Sequence, residues 1–66
     1  MSVTELLRVV QAEYLEMPGL HLTKPQAQRL WALNPITCDA LLDALVAAQF
    51  LRCNHRGAYV LAWSSY

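Results

Sequence analysis

The chain has 66 residues, enough for one domain and too few for two. Five Lys and Arg balance five Asp and Glu, which excludes a surface that is basic throughout. No apolar run approaches the roughly 20 residues of a membrane span.

A domain this small buries only about 60% of the surface its unfolded chain exposes. Its hydrophobic content of 56% is above the roughly 45–50% of ordinary domains. That excess has two readings: compensation for small size, or apolar surface that a second chain covers. Zero net charge fits the second, since a near-neutral surface does not resist association.

The first helix starts at Ser2, where Ser2-Val3-Thr4-Glu5 fits a capping box. Val3, Leu6, Leu7, Val10, Tyr14 and Met17 then recur at helical spacing and form one apolar stripe. Pro18-Gly19 stops it. Leu20-His21-Leu22 reads as a short extended piece. Thr23-Lys24-Pro25-Gln26 is a second capping box, and it opens a helix to about Leu33 with Ala27, Leu30 and Trp31 turned inward. Asn34-Pro35 caps and opens a third helix that runs to about Ala48. Ile36, Cys38, Leu41, Leu42, Leu45 and Val46 are its expected buried stripe. Thr37, Asp39, Ala40, Asp43, Ala44 and Ala47 form the other face.

Phe50 to Cys53 and Ala58 to Trp63 read as strands. Leu51 and Cys53 share one face by period 2, as do Tyr59, Leu61 and Trp63. Asn54-His55-Arg56-Gly57 between them has the signature of a type I turn. The predicted core includes Trp31, Leu42, Leu45, Leu51 and Tyr59. The chain starts at Met1 and reads as a whole gene product, residues 1–66 forming a single domain. No signal peptide is expected. Cys38 and Cys53, outside CxxC spacing, read as two buried thiols in a reducing cytoplasm.

The order of these elements, with Leu22-Thr23-Lys24-Pro25-Gln26-Ala27-Gln28-Arg29-Leu30-Trp31-Ala32-Leu33, Cys38, Leu41-Leu42, Leu45-Val46, Phe50-Leu51-Arg52 and Gly57-Ala58-Tyr59, resembles small bacterial winged helix-turn-helix proteins. The resemblance covers nearly the whole chain. It implies a mainly α fold: a three-helix bundle plus a two- or three-stranded antiparallel sheet. Similar sequences place Gly between the third helix and the following strand, where this chain has Gln49. A left-handed backbone there would cost on the order of 1 kcal/mol relative to Gly.

The resemblance also implies a function. In that family the third helix lies in the DNA major groove and the hairpin touches the backbone beside it. The base-facing positions would be Thr37, Asp39, Ala40, Asp43 and Ala44. That set holds none of the Arg, Lys, Asn or Gln that read guanine and adenine. The hairpin is better supplied, with Arg52, His55 and Arg56, and Lys24 starts the second helix. Lys24, Thr37, Arg52, His55 and Arg56 are therefore the candidate nucleic-acid contacts, expected to hold duplex DNA weakly through its backbone. The plainer reading of these charges is a solvated β-turn.

A protein partner calls on other residues. Ala40, Ala44 and Ala47 make a smooth strip on the third helix, and Trp63 and Tyr66 are aromatics of the kind enriched at interfaces. Against this, Ala is simply the best helix former, and Trp63 is in phase to close the core. Two functions follow: a DNA-binding or transcription-associated protein, or a protein-interaction or dimerisation module that binds no nucleic acid. A homodimer is one form of the second.

No enzyme is expected. Gly19 and Gly57 are the only glycines, so no Gly-rich phosphate loop exists. A domain of this size offers little room for the roughly 300 Å³ or more that a substrate pocket needs. Cys38, Cys53, His55 and His21 lack the paired spacing of zinc sites, and no metal or cofactor is expected.

Overall fold

Each helix begins where a side chain satisfies its first amides. The computed structural model describes residues 2–64. Helix α1 spans Val3–Glu16, and the Ser2 hydroxyl accepts from the Glu5 amide at 3.2 Å. Helix α2 spans Lys24–Leu30 behind a reciprocal box. The Gln26 amide donates to Thr23 Oγ1, and the Thr23 amide donates to Gln26 Oε1 at 2.9 Å. Helix α3 spans Pro35–Ala47, with Asn34 Oδ1 accepting from the Thr37 amide at 2.7 Å.

Strands β1 (Leu51–Cys53) and β2 (Tyr59–Leu61) pair antiparallel, Leu51 opposite Leu61 and Cys53 opposite Tyr59. Leu22 bridges Tyr59, exchanging both backbone bonds at 2.7 and 3.2 Å. The chain bends by 110° between α2 and α3, within the roughly 90–120° of helix-turn-helix pairs. The architecture is thus mainly helical with a two-stranded hairpin, a layout compatible with a winged helix. Among the described residues no single helix is long and apolar enough to cross a membrane.

The core joins every element. Val10 and Tyr14 come from α1, Ala27 from α2, and Cys38, Leu41, Leu42 and Leu45 from α3. Leu51, Tyr59 and Leu61 complete it from the hairpin. Of the predicted core, Leu42, Leu45, Leu51 and Tyr59 are buried, whereas Trp31 is only half-buried. Other expectations fail at the ends of elements. Val3 and Met17 are exposed because α1 outruns the core at both ends. Leu30, expected inward, is exposed in the last turn of α2. Val46 lies at the edge of the α3 stripe and is 38% exposed. Ile36, in the first turn of α3, is 83% exposed. Cys53 is also exposed: it is the last residue of β1, beside the turn.

Two helix ends carry strain. α2 stops three residues short of Leu33 because Ala32 is left-handed, at φ 53°. The Leu33 amide then donates to the Gln28 carbonyl at 2.9 Å, closing a Schellman motif. α3 ends in the same way. Gln49 sits at φ 61°, its amide bonded to Val46 O and the Phe50 amide to Leu45 O. Gly is the residue that adopts this backbone without a Cβ penalty. Gln49→Gly should therefore raise stability by up to about 1 kcal/mol, less the entropy its freer unfolded chain regains. Urea melts of the two proteins measure this, and a clear loss in the Gly variant would point to a stabilising contact from the Gln49 side chain.

One buried polar bond ties α1 to the hairpin. The Tyr14 hydroxyl donates to the Tyr59 carbonyl at 2.8 Å, which also accepts from the Leu22 amide. Tyr14→Phe should cost about 0.5–1.5 kcal/mol. Burial raises the Tyr14 phenol above the ordinary tyrosine value of about 10. The folded state therefore keeps this proton when the unfolded chain has lost it. Its contribution is full below about pH 10 and is lost as pH rises beyond that. Stability should fall in alkali, and fall less steeply in the Phe variant. Parallel slopes in the two proteins would refute the assignment.

Candidate functional site

The outward face of α3 is apolar. Ile36, Ala40, Ala44 and Ala47 follow one another at helical spacing, and all four are exposed. Asp39 and Asp43 border the strip on one side. The opposite face is the core stripe of Cys38, Leu41, Leu42 and Leu45. The helix is therefore apolar on two sides, with the exposed Asp39 and Asp43 between them. The alanines were legible in the sequence. Ile36 was misassigned to the core, although its wheel position, four residues before Ala40, puts it on the strip. Further exposed apolar side chains sit near the ends of α1 (Leu15, Met17) and α2 (Leu30).

The candidate cations are engaged to different degrees. Lys24 Nζ lies 3.0 Å from Asp39 Oδ1, an ion pair joining the start of α2 to the first half of α3. Hydrogen bonding to Asp39 is the main cause that raises the Lys24 ammonium above its ordinary range. Arg52 Nη2 donates to the Ser64 carbonyl at 2.8 Å, which pins that guanidinium to the chain after β2. Thr37 is half-buried in the first turn of α3. His55 and Arg56 stand exposed at the hairpin turn. There Asn54 Oδ1 accepts from the Arg56 and Ala58 amides at 2.9 and 3.0 Å, and Gly57 takes φ 78°. Of the five nucleic-acid candidates, Lys24 and Arg52 are thus engaged within the chain, while His55 and Arg56 stand exposed at the turn.

Trp63 does not close the core. It is 64% exposed, and its ring meets Phe50 edge-on at a centroid distance of 5.5 Å. A turn after β2, with the Ser64 amide bonded to Leu61 O, ends the strand before Trp63 and breaks the expected phase. Tyr66 lies outside the described residues.

A cleft of about 300 Å³ opens beside the hairpin turn, lined by His21, Asn54, His55, Arg56 and Ala58. The Leu22–Tyr59 bridge brings the extended piece carrying His21 to the hairpin. Nothing in the sequence places His21 at the same cleft as His55, since a long-range pairing brings the two segments together. Cys38 is sealed in the core, with Sγ 3.7 Å from the Lys24 carbonyl oxygen, and burial pushes its thiol up. That is the opposite of what activates a nucleophilic cysteine. Among the described residues no three His, Cys, Asp or Glu gather closely enough to hold a metal ion. No protein-family model, curated protein or solved structure matches the chain.

Proposed function

We propose that the chain is a non-enzymatic protein-interaction module on a winged-helix scaffold, and that α3 packs against a second copy of the chain. The observation that carries this reading is the double-sided apolar character of α3. Ile36, Ala40, Ala44 and Ala47 face outward where a DNA-reading helix would present Arg, Lys, Asn or Gln. The groove-facing charges on that helix are Asp39 and Asp43, and Asp39 also neutralises Lys24. Zero net charge leaves no general repulsion between two copies. Sedimentation equilibrium from tens of micromolar to millimolar should give a mass that rises to that of a dimer. A monomer throughout would refute the self-association.

The exposed His55 and Arg56 favour a second reading, in which the hairpin touches a nucleic-acid backbone. Such binding would be weak and blind to sequence. Each neutralised phosphate contributes about 0.9 to the slope of log affinity against log salt. Arg56→Ala should then flatten the slope by about one unit and weaken all duplexes alike. Titration of a fluorescent duplex at several salt concentrations tests it, and no binding at low salt removes it.

A further inference from the structure

The cleft beside the hairpin turn has a chemistry that the α3 strip does not use. His21, His55 and Arg56 converge on it, each exposed at its rim. Their side chains make no hydrogen bond or ion pair among the described residues. Asn54 adds a fourth group. Its Oδ1 is already occupied by the Arg56 and Ala58 amides, which leaves its side-chain nitrogen to donate. Among the described residues no carboxylate lines the cleft. The five acids lie elsewhere, Glu5, Glu13 and Glu16 on α1 and Asp39 and Asp43 on α3. The segments that form the cleft, residues 20–22 and 51–61, carry none.

Donors without acceptors, and cations without anions, are the requirements of an oxyanion site. Arg supplies a planar fork that matches phosphate oxygens. A guanidinium and two imidazoles facing one cavity suit a dianion better than the single charge of a phosphodiester. The cleft of about 300 Å³ exceeds a bare phosphate and sits at the lower end of small-molecule sites. The turn that carries His55 and Arg56 is itself fixed by the two bonds to Asn54 Oδ1.

We propose that the cleft between His21 and the Asn54–Gly57 turn binds a phosphate dianion, either inorganic phosphate or the terminal group of a small phosphate monoester. The site is separate from the α3 strip and stands whether or not the chain dimerises.

The test is a titration followed by the imidazole C–H resonances of His21 and His55, at constant ionic strength. The probes are inorganic phosphate, phenyl phosphate and dimethyl phosphate, with sulfate as a dianion whose own charge does not change between about pH 6 and 8. Phosphate and phenyl phosphate should give saturating shifts at both histidines, and phenyl phosphate the tighter ones if the ligand is a monoester. Sulfate should give saturating shifts at the same two histidines, which shows that the site takes a dianion without a proton of its own. Arg56→Ala and His21→Gln should each weaken binding about tenfold, the scale of one charge-assisted hydrogen bond. Both residues are exposed, and unchanged spectra for the rest of the chain confirm folding. Shifts that stay linear, or that survive in both variants, would overturn the proposal. So would dimethyl phosphate binding as tightly as phenyl phosphate, which would make the cleft a phosphodiester backbone contact.

Discussion

Leu42→Ala is expected to unfold the domain or leave it barely folded. Leu42 is fully buried in the middle of α3, within the cluster formed by the three helices and the hairpin. Truncation removes its transfer free energy and leaves a cavity that close-packed neighbours fill only in part, a loss of roughly 2–5 kcal/mol. At about 0.05–0.15 kcal/mol per residue, a chain of this length has a total stability on the order of 3–10 kcal/mol. The loss is therefore comparable to the whole. Ile36→Ala supplies the contrast. Ile36 is on the same helix and is larger in volume than the alanine that replaces it, yet it is 83% exposed. Its truncation should change monomer stability by no more than about 0.5 kcal/mol. Urea melts at low protein concentration compare the two. Equal losses would mean that α3 is rotated from the phase described.

Ala44→Glu should abolish self-association. Ala44 lies on the outward strip beside Ala40 and Ala47. In a two-fold interface each glutamate would be buried without a cation, and a buried uncompensated charge costs several kcal/mol. Each 1.4 kcal/mol is about tenfold in the dissociation constant, so the expected weakening is a hundredfold or more. The isolated fold should tolerate the change, because the site is exposed and Glu is a good helix former. Circular dichroism unchanged from wild type, with a monomeric mass, is the expected pair of results. A dimer that survives the substitution would place the interface elsewhere, with Leu15, Met17 and Leu30 as the next exposed apolar group.

Sequence periodicity located the interior well wherever an element crosses the core squarely. Leu42, Leu45, Leu51 and Tyr59 are cases of this, each fixed by a period of 3.6 or 2. It failed near element ends, where a residue in phase with the stripe has no neighbour to cover it. Val3 and Leu30 are exposed for that reason, Trp63 because a turn ends the strand before it, and Ile36 because its wheel position falls on the outward strip. The end of α2 was hidden because Ala32 adopts a backbone that local propensity assigns to Gly. The matching strain at Gln49 was visible, since the winged-helix resemblance led to an expectation of Gly at that helix end. Contacts between distant segments left no local mark. The Tyr14 bond to the Tyr59 carbonyl spans 45 residues, and His21 comes to the cleft of His55 through the Leu22–Tyr59 bridge. The pairing of Lys24 with Asp39 depends likewise on the sharp bend between α2 and α3.

The most direct test of the α3 interface is an isotope-filtered NOE measurement on a mixture of labelled and unlabelled chains at millimolar concentration. It reports only protons of one copy that lie close to another copy. Intermolecular cross-peaks are predicted from the methyl groups of Ile36, Ala40, Ala44 and Ala47, and none from Leu42 or Leu45. An absence of intermolecular cross-peaks at a monomeric mass, or cross-peaks confined to Leu15, Met17, Leu30 or Trp63, would contradict it.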